Sequence, residues 1–114
     1  MYELHLNDIP FEQIREGKKT LEARVFDEKR RHLKVGDIIT FIARSNEQNT
    51  FQAKIVALHQ FPTFLEMFQT LPVQKFGWEK KSTAEQAARD MHTYYSTDEE
   101  EKDGVVGMEL TLLV

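Results

Sequence analysis

Residues 38–61 constrain this chain more than any other stretch. "IITFIAR" (38–44) is apolar at nearly every position, the pattern of a strand covered on both faces. "FQAKIVALHQF" (51–61) alternates, with Gln52, Lys54 and Val56 set against Ala53, Ile55 and Ala57. The polar "SNEQNT" between them reads as a hairpin loop. A third period-two strand, "KTLEARVF" (19–26), precedes the pair. Three strands in succession predict antiparallel neighbours in one sheet.

Helical patterns lie on both sides of these strands. After a first short strand, "YELHL" (2–6), "NDIPFEQIREG" reads as a short helix. Asp8 is its N-cap, Pro10 sits in the first turn, Phe11 and Ile14 face inward, and Gly17 ends it. In "PTFLEMFQTLP", Thr63 and Glu66 form a capping box. Phe64, Leu65, Phe68 and Leu71 make the apolar stripe there, and Pro72 stops the helix. "VQKFGWEKK" reads as one helical turn and a loop. "STAEQAARDMHTYY" repeats the start signal with Ser82 and Glu85, and buries Ala84, Ala87, Ala88, Met91 and Tyr95. The acidic "STDEEEKDG" reads as a solvated loop. A last strand, 105–114, contains Gly107, which marks a bulge or a close backbone approach. The order β-α-β-β-β-α-α-β predicts an α+β fold, a small antiparallel β-barrel or curved sheet with helices packed around it.

The chain has 114 residues, of which 40% are apolar and 30% charged. That predicts one globular domain spanning 1–114. There is no cysteine, which excludes disulfides, thiolate zinc sites and cysteine nucleophiles. His5, His32, His59 and His92 form no local ligand pair, so we expect no metal and no cofactor. The N-terminus lacks the basic and apolar regions of a secretory signal, and no apolar run suits a membrane span. The expected compartment is the cytoplasm. Net charge is −4, but it is unevenly spread. Residues 15–34 hold eight basic side chains against four acidic ones, a local +4 that leaves −8 on the remainder. Such a segment is either a solvated, ion-paired loop or a docking face for phosphate.

"GKKTLEAR" (17–24) lies in that segment. On a strand, Glu22 and Arg24 share a face at roughly 7 Å, and Thr20 joins them. Facing water, the ion pair contributes about 0–1 kcal/mol and has no function. Facing a cavity, the charges need partners, and a ligand with hydrogen-bond donors and an anionic group would supply them. Strict alternation puts Lys19 on the opposite face from Thr20, although alternation is least dependable at a strand's first residue. Lys18 and Arg24 beside it would lower its pKa and favour a base or a nucleophile; the alternative is a surface lysine.

The same eight residues match a G-x-K-x-x-E-x-R signature, and the chain here resembles the ASCH domain family. "FEQIREGKKTLEAR", "HLKVGDIITF", "FPTFLEMF", "YYS" and "GVVGMEL" follow the family order across nearly the whole chain. ASCH domains are similar to PUA domains. The resemblance therefore implies a small β-barrel with a cleft lined by the signature strand, and RNA or a nucleotide-like small molecule as ligand. Lys18, Lys19, Arg24 and the basic loop 29–34 would contact phosphate, Thr20 would line the site, and Glu22 would accept hydrogen bonds from a base edge or a sugar. Phe76 or Trp78 would stack on a base, or simply pack in the core.

Some small members of this fold resemble amidohydrolases that deacetylate N4-acetylcytidine, using a lysine, a threonine and a glutamate. Lys19 matches the lysine and Glu79 the glutamate, but Glu22 stands where the threonine would be. A carboxylate does not readily form the same acyl-enzyme. Glu22 would instead act as a general base, with Lys19 stabilising the oxyanion. A protein-interaction surface is the third reading.

Overall fold

The computed structural model describes residues 2–113; Met1 and Val114, the last residue of the expected final strand, lie outside them. The strands are β1 (Tyr2–Leu6), β2 (Leu21–Val25), β3 (Ile38–Ala43), β4 (Asn46–Phe61) and β5 (Val105–Leu112). The α-helices are α1 (Asp8–Arg15), α2 (Phe64–Thr70), α3 (Ala84–Met91) and α4 (Thr97–Asp103), with a 3-10 turn at Val73–Phe76. One five-stranded sheet, ordered β1-β3-β4-β5-β2, curls into a half-barrel with the four helices around it, an α+β fold as expected.

Strand β4 makes the curl. Its first half pairs with β3 and its second half with β5, both antiparallel. At the changeover Val56 is an extra residue between Ile55, opposite Leu110, and Ala57, opposite Glu109. A bulge of this kind bends its strand and raises the local twist.

Two features of the topology differ from the sequence expectation. β2 does not pair with β3; it pairs antiparallel with β5 at the far end of the sheet. The connection 26–37 is long enough to carry the chain away from β2, so adjacency in sequence does not enforce pairing here. β1 in turn pairs parallel with β3, making the sheet mixed. The first two strands are thus the two open edges of the half-barrel.

The tight turn is Arg44–Ser45, and 46–50 is strand where a loop was expected. Pairing of Asn46 with Ala43 and Thr50 with Ile42 overrides the polar composition. The acidic segment expected as a loop is helix α4. The Ser96 hydroxyl accepts from the Glu99 N–H at 3.1 Å, and a Glu99 carboxylate oxygen accepts from the Ser96 N–H at 3.0 Å. Nor is the acidic run wholly solvated, because Glu100 is buried. Two caps shift by one residue: Asn7 precedes α1, and Thr83 with Gln86 boxes α3. The Thr63 cap of α2 is as expected, accepting from the Glu66 N–H at 3.1 Å.

Two apolar clusters hold the fold. One fills the half-barrel, with Phe11 and Ile14 of α1 against Leu4, Ile39, Phe41, Ile55, Val106 and Met108. The other seats α2, α3 and the 3-10 turn on the outer face of β2, through Leu21, Ala23 and Val25 against Phe64, Met67, Phe76, Ala87 and Met91. Gly107 permits the close approach, since a Cβ there would meet Met67 Sδ at 3.2 Å and Phe76 at 3.4 Å. Glu22 and Arg24, on the other face of β2, are left between the two clusters.

Candidate functional site

A cleft of about 450 Å³ opens at the seam of the half-barrel. His5, Leu6 and Asn7 at the end of β1 form one bank; Glu22, Ala23 and Arg24 of β2 form the other. Pro10 and Gln13 of α1, Phe76 to Trp78, and Met91, Tyr94 and Tyr95 close the remaining sides, and Arg44 reaches in from the β3–β4 turn.

Its floor is a buried charge cluster. Glu22 is only 4% exposed. Its Oε1 receives Lys19 Nζ at 2.8 Å, and its Oε2 receives Arg24 Nη2 at 2.7 Å and Nε at 2.8 Å. Arg24 also interacts with the Tyr95 hydroxyl. Burial by itself would raise the Glu22 pKa, but the Lys19 and Arg24 charges and their hydrogen bonds outweigh it and hold the carboxyl at about 2. For Arg24, burial acts to lower the pKa, and Glu22 and Tyr95 more than offset that, so it stays cationic. Glu22 stands between the two cations and separates their like charges. The cluster as a whole carries one excess positive charge, and Arg44 adds a second on the rim.

Lys19 comes to Glu22 because β2 begins only at Leu21. Residues 18–20 are still turning out of α1: the Lys18 and Lys19 N–H groups both donate to the Gln13 carbonyl, at 2.9 and 3.0 Å. The face assignment from strict alternation therefore does not apply to Lys19. Gly77 covers the lysine stem. It has φ +104°, and a Cβ there would sit 2.7 Å from Gln13 Oε1 and 3.3 Å from Lys19 Cδ. The Gln13 side chain also donates to the Gly77 carbonyl at 3.2 Å.

Several residues singled out in the sequence are elsewhere. Lys18 is exposed and pairs with Glu16 at 3.4 Å. Thr20 is outside the cleft lining, its backbone engaged by Lys75 and Leu110. Glu79 is exposed, paired with Lys81 at 3.6 Å, and does not line the cleft. In the basic loop, Arg30 pairs with Asp27 at 2.6 Å, and Arg31 donates to the Asp103 carbonyl at 2.8 Å while lying over the Phe26 ring. None of residues 29–34 lines the cleft. Phe76 lines the cleft but is buried, with its ring edge-on to Phe68. Trp78 does line the cleft, with its Nε1 anchored to Asp90 at 2.7 Å.

The residues that sequence reasoning missed are Arg44 and Tyr94. Arg44 ends an apolar strand at a tight turn, a signal for exposure but not for direction. Tyr94 is 70% exposed, and its partner in "YYS", Tyr95, packs on Phe64. Among the described residues no group of three or more His, Asp or Glu side chains is placed to hold a metal ion, and no helix is long and apolar enough to cross a membrane.

The family model of the ASCH domain matches residues 4–113. The chain belongs to the ASCH domain family. That family is associated with RNA binding. Among solved structures, this ASCH domain is similar to the hypothetical protein PH0355, at 28% identity over 98% of each chain with a TM-score of 0.84. It is also similar to protein PF0455 from Pyrococcus furiosus, at 27% identity over 98% of this chain and 96% of that one, TM-score 0.75. ASCH from Zymomonas mobilis matches at 14% identity over 96% of this chain and 65% of that one, TM-score 0.66, a likeness of fold alone. No match is found among curated proteins.

Proposed function

We propose that the cleft binds an RNA end or a nucleotide-like small molecule. The observation that carries this reading is the floor: a buried carboxylate holding two cations in fixed positions, with an excess of positive charge and an exposed tyrosine at the rim. Lys19 and Arg24 direct their remaining N–H groups to an anionic oxygen, and Arg44 screens a second one. Tyr94 offers a ring face for a base, with Trp78 as the neighbouring wall. In this reading Glu22 chiefly orients the cations, its Oε1 accepting from Lys19 and its Oε2 from Arg24. The acidity of the rest of the chain favours a short ligand over an extended duplex.

Calorimetric titration with CMP, AMP and a short single-stranded RNA tests the reading. Binding should weaken with salt and be reduced in Arg44→Ala and Tyr94→Ala variants of unchanged fold. Absence of binding to all three ligands at low salt would overturn it. The amidohydrolase reading is supported by Lys19 at the cleft floor. Neither carboxylate named for it suits a base there: Glu22 is held at about 2, and Glu79 lies outside the cleft lining. Lys19-dependent release of acetate from N4-acetylcytidine would establish it all the same.

A further inference from the structure

The cleft has charge at its closed end and a ring at its mouth. The Lys19 and Arg24 side chains keep 11% and 16% of their surface exposed, around a Glu22 side chain at 5%. Tyr94 and Arg44, by contrast, are exposed. The Arg44 N–H donates to the Leu6 carbonyl at 2.9 Å, which sets Arg44 beside the β1 bank. Among the described residues nothing engages its guanidinium. A ligand whose phosphate meets the floor cations and whose base meets Tyr94 therefore lies with its phosphate innermost.

Closure limits which phosphate can lie there. The end of β1, β2, α1, Phe76 to Trp78 and the turn after α3 wall the floor on its sides. A phosphate on that floor has the rest of its molecule on the mouth side alone. An internal phosphodiester has a sugar on each side, and both would have to leave by the one mouth. The cleft's volume of about 450 Å³ is near the lower end of the roughly 300–1,000 Å³ that encloses one small molecule, room for a single nucleotide and not for a doubled-back strand.

Charge favours the same group. Among the described residues, the charged side chains of the lining are Lys19, Arg24 and Arg44 against Glu22, with His5 at the end of β1. With His5 neutral, they leave two positive charges in excess. A phosphomonoester carries about −1.5 to −2 at pH 7, because its second pKa is about 6. A diester carries a single charge and leaves one of the two cations uncompensated.

Resting on the proposed function, we infer that the group recognised is a terminal phosphomonoester: a nucleotide or an RNA end enters phosphate first, and internal linkages and unphosphorylated ends are passed over.

The test titrates the whole chain calorimetrically at about pH 7.5. The ligands are the 5′- and 3′-monophosphates of cytidine and adenosine, their parent nucleosides, and the methyl esters of the same phosphates, which are monoanionic diesters. The tightest monophosphate should bind about 10-fold or more better than its own methyl ester and its nucleoside. Arg44→Gln, on the exposed rim, removes one of the two excess charges and should weaken that monophosphate by a larger factor than its ester. An ester or a nucleoside that binds as tightly as the monophosphate overturns the inference and leaves the proposed function standing. So does binding of a hydroxyl-ended RNA alone. An equal loss for monophosphate and ester in Arg44→Gln also overturns it. If none of the ligands binds at low salt, the short RNA included, the proposed function falls together with the inference. Should Arg44→Gln fail to fold, the ester comparison on the native chain decides alone.

Discussion

Among the described residues two carboxylates are buried, Glu22 and Glu100, and they are buried for different ends. Glu22 is held by two side-chain cations and lies under an open cleft. Glu100 accepts from the Phe64 N–H at 2.7 Å, at the start of α2, and meets His92 Nε2 at 3.2 Å. It ties α4 to α2 and to the end of α3, and it does not line the cleft. Both satisfy the rule that an interior charge needs partners. The difference lies in the kind of partner. A main-chain donor is fixed by the fold and is consumed by the bond. Lysine and arginine have further donors left over, so the same kind of burial that fastens one helix at Glu100 leaves spare cationic donors beside the cleft at Glu22.

Substitution separates the two sites. Glu22→Gln leaves two buried cations without their counter-charge, and should cost about 3–5 kcal/mol in urea unfolding and abolish ligand binding. Glu100→Gln keeps the shape but weakens the bond to Phe64, and should cost about 1–3 kcal/mol with binding unchanged. An intact nucleotide affinity in the first variant, or a lost one in the second, would break the contrast.

Acid provides a sharper comparison. The Glu22 carboxyl titrates at about 2 when folded and at about 4.5 when free. A depressed folded pKa means that its stabilisation is complete above the free value and disappears as pH falls through the folded value. The stability gap between the native chain and Glu22→Gln should therefore be full at pH 6, narrow below about 4.5, and largely close near 2. A gap that stays constant over this range would show that the charge cluster does not set it. The smallest effect is expected at the rim: Arg44→Ala should change stability by no more than about 0.5 kcal/mol, yet lower nucleotide affinity and flatten its salt dependence.

The elements with strong local signals were legible in the sequence. The Thr63 cap, the Pro72 stop and the inward Phe11 and Ile14 all follow from short-range chemistry, and the structure has each of them. The signature strand also gave three of the cleft residues, Lys19, Glu22 and Arg24. What was not legible was long-range. No local pattern pairs β2 with β5 across eighty residues of chain, and the aim of the basic loop depends on that pairing. The loop looked like a phosphate face by count; in three dimensions Arg30 and Arg31 are consumed by Asp27 and the end of α4. Helix α4 is a different kind of miss. Its capping residues, Ser96 and Glu99, were visible, and a run of acidic residues drew attention away from them.

The sheet order has a consequence for how the chain reaches this state. β2 is synthesised well before β5, the strand it pairs with. Closure of the charge cluster therefore waits on the β2–β5 pairing, so a chain cut before β5 would carry Lys19, Glu22 and Arg24 without the strand that holds β2 in the sheet.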